Sequence, residues 1–246
     1  MKRFFLSLML LCPLLVAHAQ SDDFGIWYTV NAEKKIDKKW SVEGEVEFRT
    51  RNNTRTADCW NFEADVNFKP VKGIKISAGY MFMLDNVKEK ITYNPDGNYN
   101  NWRPSYWAGS HRVMINVTGS KKFGRFEFAL RERWQYTYRP SKTTTRYDFD
   151  NAYWEDTNVR SKGKNMLRSR LTVEYDIPKC KVDPYASVEL FNALRLERVR
   201  YTAGVDYKLK KIHTFSLYYR YQAVNNFDGD NDPNRHVLGL SYKYKF

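Results

Sequence analysis

The final segment, His236-Val-Leu-Gly-Leu-Ser-Tyr-Lys-Tyr-Lys-Phe246, constrains the fold more than any other part of the chain. Leu238, Leu240, Tyr242, Tyr244 and Phe246 fall on one face, and Gly239, Ser241, Lys243 and Lys245 on the other. Successive side chains of a strand point to opposite faces, so this strand suits lipid on one side and a wet interior on the other. Strict alternation that ends the chain on an aromatic residue is the form expected of the closing strand of a bacterial outer-membrane barrel. The strand ending in Phe246 is also the segment expected to engage the barrel-assembly machinery.

The amino terminus agrees with export. Lys2 and Arg3 precede an apolar run from Phe4 to Val16, and Ala17-His18-Ala19 supplies a small-x-small cleavage site. This predicts a cleaved signal peptide over 1–19 and a single domain over 20–246. No other segment approaches the ~18 consecutive apolar residues that a spanning helix needs. The chain is hydrophilic on average. An exported, hydrophilic chain with a lipid-facing strand is reconciled by a barrel, whose lipid face uses every second residue.

The formal net charge is +13, and it stays strongly positive once Lys2 and Arg3 are removed. An exported protein has little occasion to meet nucleic acid, so none is expected as partner. Outer-membrane lipid, anionic lipopolysaccharide or a small anionic solute fits better.

Alternation recurs from Phe24 onward. Outward faces are read as Phe24 to Ala32, Trp40 to Phe48, Trp60 to Phe68, Ile74 to Leu84, Val113 to Val117, Phe126 to Tyr138, Leu167 to Ile177, Ala186 to Leu190, Val199 to Leu209 and Phe215 to Tyr221, taking alternate residues. The connections alternate too. Tight turns at 69–73, 120–124 and 210–212 are expected in the periplasm, and the longer polar stretches 86–104, 140–164 and 223–234 outside. Trp27, Trp40, Trp60 and Trp134 fit interfacial girdles. With the final strand the reading gives eleven strands, whereas single-chain bacterial barrels have even numbers. Either 24–32 lies in the lumen, leaving ten, or a strand hides in a long segment, giving twelve. The fold class is therefore all-β, a transmembrane antiparallel up-and-down barrel of ten to twelve strands.

Four short patterns add a resemblance: Phe24-Gly-Ile-Trp27, Leu130-Arg-Glu-Arg133, Asp183-Pro-Tyr-Ala-Ser-Val-Glu189 and Glu197-Arg-Val-Arg-Tyr-Thr-Ala-Gly204. With them the chain resembles, over nearly its whole mature length, a family of bacterial outer-membrane barrels, domain of unknown function 2490. The resemblance implies the barrel and the outer membrane. It implies no activity, cofactor or catalytic residue.

Inward positions carry the candidate chemistry. Strand direction places Arg49, Arg51, Arg112, Arg131, Arg133, Arg168, Arg170, Arg198, Arg200 and Arg220 in the middle or outer half of the lumen. It places Glu43, Glu45, Glu47, Glu63, Asp65, Glu127, Glu174, Asp176 and Asp206 in the inner half. Asp85 and Glu189 lie higher, while Lys75, Lys243 and Lys245 lie low. An arginine-rich vestibule above an acidic floor is the result. It reads either as ion pairs filling a narrow barrel, since arginine forks meet carboxylates bidentately, or as a site for an anionic solute or lipid headgroup.

Catalysis is not expected. His111 faces outward, His213 lies beside a turn, and His236 opens the last strand at the outer rim. A barrel phospholipase needs His and Ser two apart on one face, but Ser110 and His111 are adjacent. A rim protease could pair His236 with Asp230 or Asp232, the alternative hydrolase reading. Asp228-Gly-Asp-Asn-Asp232 begins like a calcium loop, but Pro233 stands where glycine is expected and Gly239 where a bidentate Glu belongs. No metal or cofactor is expected. Glu132 falls outward between Leu130 and Trp134, and a β-bulge there is the favoured explanation over a covering oligomer contact.

The function expected is a non-catalytic narrow channel or binding protein for small anions or anionic envelope lipid, with a structural or adhesive barrel as the alternative. Cys59 near the outer end of a strand and Cys180 in a periplasmic turn lie a membrane height apart, far beyond the ~4.4–6.8 Å between bridged Cα atoms. Mass spectrometry of the non-reduced protein is therefore expected to find both thiols free, and a Cys59–Cys180 bridge would overturn this topology.

Overall fold

A computed structural model describes residues 22–210, 212–226 and 232–246. The signal segment 1–19 and Asp228 to Asn231 of the acidic loop lie outside the described residues, as does Lys211 of a tight turn. Fifteen strands make two sheets. Eleven close into a barrel: β1 (Asp23–Lys35), β2 (Trp40–Arg51), β3 (Thr56–Phe68), β4 (Ile74–Val87), β7 (Tyr106–Phe123), β8 (Phe126–Arg139), β11 (Lys162–Tyr175), β12 (Val182–Asn192), β13 (Leu196–Leu209), β14 (His213–Val224) and β15 (Arg235–Lys245). The other four, β5 (Lys90–Tyr93), β6 (Tyr99–Arg103), β9 (Lys142–Asp148) and β10 (Tyr153–Val159), form a separate sheet in the order β10-β9-β6-β5.

The odd count is resolved at the seam. Chain-order neighbours in the barrel pair antiparallel, but β1 runs parallel to β15 from Asp23 opposite Arg235 to Glu33 opposite Lys245. Strands that alternate in direction and number eleven must bring first and last together pointing the same way. Neither alternative expected from the sequence is needed: residues 24–32 belong to the wall, and among the described residues no twelfth barrel strand is hidden in a long stretch. Two of those stretches are instead ordered hairpins, joined where Asn101 and Trp102 of β6 pair with Asp148 and Tyr147 of β9.

The packing is inside out. Val30, Phe62, Ile115, Leu130, Leu171, Tyr201, Leu217 and Leu240 are exposed on the outer face, a continuous apolar belt suited to lipid. Asn31, Glu47, Asn61, Asn116, Arg133, Gln135, Arg168, Glu189, Arg200 and Gln222 are buried on the inner one. Girdle positions follow for Trp40, Trp60 and Trp134, all exposed. Trp27 does not join them. It is 2% exposed and turned into the lumen, the parity its neighbour Tyr28 dictates.

Glu132 also departs from expectation. Its pairings with Val117 and Ser169 sit in unbroken registers, so there is no bulge. The carboxylate stays outward and accepts a hydrogen bond from Ser169 Oγ at 2.6 Å. In the β1–β2 turn, Asp37 accepts from the backbone N–H groups of Lys39 and Trp40 at 2.6 and 2.7 Å. Those bonds hold its carboxyl below the usual range.

Tyr218 on β14 marks the tightest inner contact. Its ring lies flat over Gly239 of β15, where a Cβ would sit 1.9 Å from Tyr218 Cζ. Gly204 on β13 flanks the same side chain. Gly239→Ala is therefore expected to lower stability by about 1–3 kcal/mol in urea titration, as overpacking does, with partial rescue by Tyr218→Ser.

Candidate functional site

Alternation delivers every second residue to the lumen, and the closed wall leaves three cavities stacked along it. The one toward the long hairpins is about 380 Å³ and is lined by Arg49, Arg112, Arg139, Lys162, Lys164, Arg168, Arg198 and Arg200, with Asp85 as its only described carboxylate. A middle cavity of about 280 Å³ shares Arg49, Arg112, Arg168 and Arg200 with it, and adds Arg170, Arg220, Glu45, Glu47 and Glu63. The third, about 140 Å³, shares Glu45, Glu63, Arg131 and Arg133 with the middle one, and is completed by Asn31, Glu43, Asp65 and Lys75.

One carboxylate organises the arginines. Glu189 on β12 lies in register between Arg170 on β11 and Arg200 on β13. It accepts from Arg131 Nη2 at 2.7 Å, Arg168 Nη2 at 2.9 Å and Arg170 Nη2 at 3.2 Å, with Arg200 Nη1 at 3.9 Å. The sequence reading treated Glu189 as an exception to its pattern; the geometry makes it the centre. Four cations around one buried anion leave excess positive charge, which amides and rings help to hold. Arg168 donates to Gln135 Oε1 at 3.2 Å and Arg200 to Gln222 Oε1 at 2.7 Å. The Trp27 ring lies 3.8, 4.9 and 5.1 Å from the guanidinium carbons of Arg49, Arg220 and Arg200, and Phe191 lies 4.5 Å from those of Arg168 and Arg200. Desolvated contacts of this kind are each worth about 0.5–2 kcal/mol. Neither ring was recognised from sequence, although the odd position of Trp27 was the available signal.

The remaining predicted residues divide. Arg49 pairs with Glu47, and Arg133 with Glu63 at 3.4 Å. Arg51 sits near the rim, on Asp58 at 3.3 Å and on the Asn86 carbonyl at 2.6 Å. Among the described residues Arg112, Arg198 and Arg220 make no ion pair. Arg112 donates to Thr137 Oγ1 at 2.9 Å, Arg220 to Thr202 Oγ1 at 3.0 Å, and Arg198 stands 5.3 Å from the Phe191 ring. Glu43 is held by Lys243 at 2.9 Å and by Asn31 Nδ2 at 2.6 Å. Glu45 and Glu63 face each other across β2 and β3, as do Glu43 and Asp65.

Three of the acids expected in the inner half lie at its very rim. Glu127 is exposed at the tight-turn end of β8. Asp176 lies beyond β11 and is exposed, and the Lys122 ammonium 2.6 Å away holds its carboxyl below the usual range. Glu174 pairs with Lys208 at 2.6 Å on the same rim. All three lie where strands end and the lumen opens to water. The histidines find partners other than those considered. His236 Nε2 meets Asp22 at 3.1 Å and Nδ1 shares a hydrogen bond with Tyr219, while Asp232 pairs with Lys88 at 2.9 Å. Among the described residues no group of three or more His, Cys, Asp or Glu is arranged to hold a metal ion.

The cluster makes a sharp expectation. Glu189→Ala leaves four guanidiniums, those of Arg168 and Arg200 buried, without their anion, and is expected to lower stability by about 3–5 kcal/mol in urea unfolding.

A barrel of this kind has solved relatives in shape. The beta domain of the Bordetella autotransporter BrkA matches with a TM-score of 0.56 at 15% identity, covering 86% of this chain and 86% of that one. A NanC porin structure matches with a TM-score of 0.49 at 12% identity, covering 92% of this chain and 100% of that one. At such an identity the likeness to the autotransporter domain is one of fold. A search of curated proteins finds no match. The family model described as "Protein of unknown function (DUF2490)" spans residues 24–243, and the chain belongs to that family.

Proposed function

We propose that the protein is exported, resides in the bacterial outer membrane with its tight turns in the periplasm, and acts without catalysis as a narrow channel that binds small anions in the outer half of its lumen. The apolar belt and the asymmetry of turns and hairpins support the membrane placement. The anion reading is carried by Arg112, Arg198 and Arg220. Each lines a cavity, and none has a carboxylate within ion-pair distance among the described residues. Guanidinium is weakly hydrated and forked, which suits it to capture a carboxylate or phosphate inside a low-dielectric wall. The positive field of the outer cavity would also draw anions, including those of the envelope lipid, toward its mouth.

A structural barrel is the second reading, favoured by the Glu189 cluster, which fills much of the cross-section with internal pairs.

Single-channel recording of the refolded protein in a planar bilayer, with a salt gradient, separates the two. Steady conductance with an anion-side reversal potential is expected, moving toward neutrality in the Arg112→Gln, Arg198→Gln variant. A silent bilayer containing verifiably inserted protein would sink the channel and leave the ion-pair-filled barrel.

A further inference from the structure

Several buried polar atoms along the lumen have no partner. Among the described residues, Nε of Arg168 and Nε of Arg198, both donors, are buried beside the outer cavity without an acceptor. At the opposite end Asn31 Oδ1 and Asp65 Oδ1 are acceptors without a donor, below the unpartnered Nε of Arg131 at the cavity's roof. Asn31 is 5% exposed, and its amide is already committed, with Nδ2 donating to Glu43 at 2.6 Å and Glu45 at 3.3 Å. That leaves its oxygen facing a cavity bordered by carboxylates and asking for a donor. Lys75 lines this cavity, Arg131 and Arg133 roof it, and Lys243 binds Glu33 and Glu43 at 3.0 and 2.9 Å. Glu45 and Asp65 keep no cation within ion-pair distance among the described residues.

The geometry points to a zwitterionic solute as the ligand of this lumen, its anionic group among the arginines and a primary ammonium beside Asn31, Glu45 and Asp65. This rests on the anion-binding reading and adds the ligand's second charge. An ammonium brings three donors and no acceptor, which is what two unpartnered oxygens and two unpaired carboxylates lack. A metal ion fits less well, because the carboxylates do not converge as a metal site requires. The middle cavity, about 280 Å³ and bordered by both Arg220 and Glu45, joins the two ends and has room for a small amino-acid-like spacer. Neither charge alone satisfies both ends.

Three near-isosteric probes test this: diglycine (zwitterion), acetylglycine (anion) and glycylglycinamide (cation), each titrated calorimetrically into the refolded full-length protein in detergent. Diglycine is expected to bind roughly tenfold more tightly than either other probe, the scale of one added charge-assisted contact. Glu45→Gln with Asp65→Asn is expected to erase that preference without weakening acetylglycine, since removing two carboxylates can only favour an anion. This variant relieves like-charge crowding, so it should fold, and the wild-type comparison needs no variant at all. Acetylglycine binding as tightly as diglycine would overturn the zwitterion and leave the anion reading standing. Binding of glycylglycinamide alone, or of no probe, would overturn both.

Discussion

A wall of strands in a lipid layer has no water to satisfy its edge N–H and C=O groups, so the ladder must close on itself. Everything else in this protein follows from that closure. With β1 and β15 both descending from the hairpin end, the last pair must be parallel, and its eleven-residue register supplies the bonds an open edge would lack. Parallel pairing is slightly weaker per residue than antiparallel. The hairpin end of this seam carries extra polar contacts: Asp22 to His236, and Arg235 to Asp58 at 2.6 Å. At the other end Phe246 and Glu33 exchange a backbone bond at 2.9 Å.

Closure also dictates where polarity goes. With most apolar residues committed to the outer face, the interior is built largely from charged groups that a water-soluble fold would keep outside, beside a small methionine cluster of Met81, Met83 and Met114. Such an interior tolerates charge because partners are dense and water can reach its cavities. Glu189 shows the limit of direct pairing, since its two oxygens serve four guanidiniums. The surplus is met by amide oxygens and by the faces of Trp27 and Phe191, contacts that a compact ammonium cannot reproduce as a flat, stacking fork does. That is a physical reason for arginine rather than lysine at these inner positions.

Much of this was legible in the sequence because β-structure writes its inside and outside in alternate letters. The barrel, its strands, the inward arginines and the acids of β2 and β3 all follow from parity. What parity does not encode is pairing between distant segments. The β1–β15 seam joins the two ends of the chain, and the β6–β9 contact joins two stretches some forty residues apart, so both were invisible locally. Trp27 was misplaced because residue type, an interfacial tryptophan, was allowed to outweigh its position next to Tyr28. Glu132 invited a bulge because a lone outward carboxylate looked intolerable, whereas the neighbouring Ser169 hydroxyl answers it. Glu127, Glu174 and Asp176 have the expected parity and half but sit at the open rim, since alternation fixes the face and leaves the end of the strand open.

The distribution of charge is harder to explain as filling. Directly opposite like charges on neighbouring strands are unfavourable, yet Arg131 faces Arg170 and Arg133 faces Arg168 across β8 and β11. Glu43 faces Asp65 and Glu45 faces Glu63 across β2 and β3. Exchanging one residue in each of these pairs would set opposite charges directly across from one another without changing parity. This barrel instead groups like charges on neighbouring strands and neutralises part of the arginine excess through Glu189 and Glu63. Grouping that breaks a local rule is characteristic of functional surfaces, and here it gives the lumen an electrostatic direction, arginine-rich toward the hairpins and carboxylate-rich toward the tight turns.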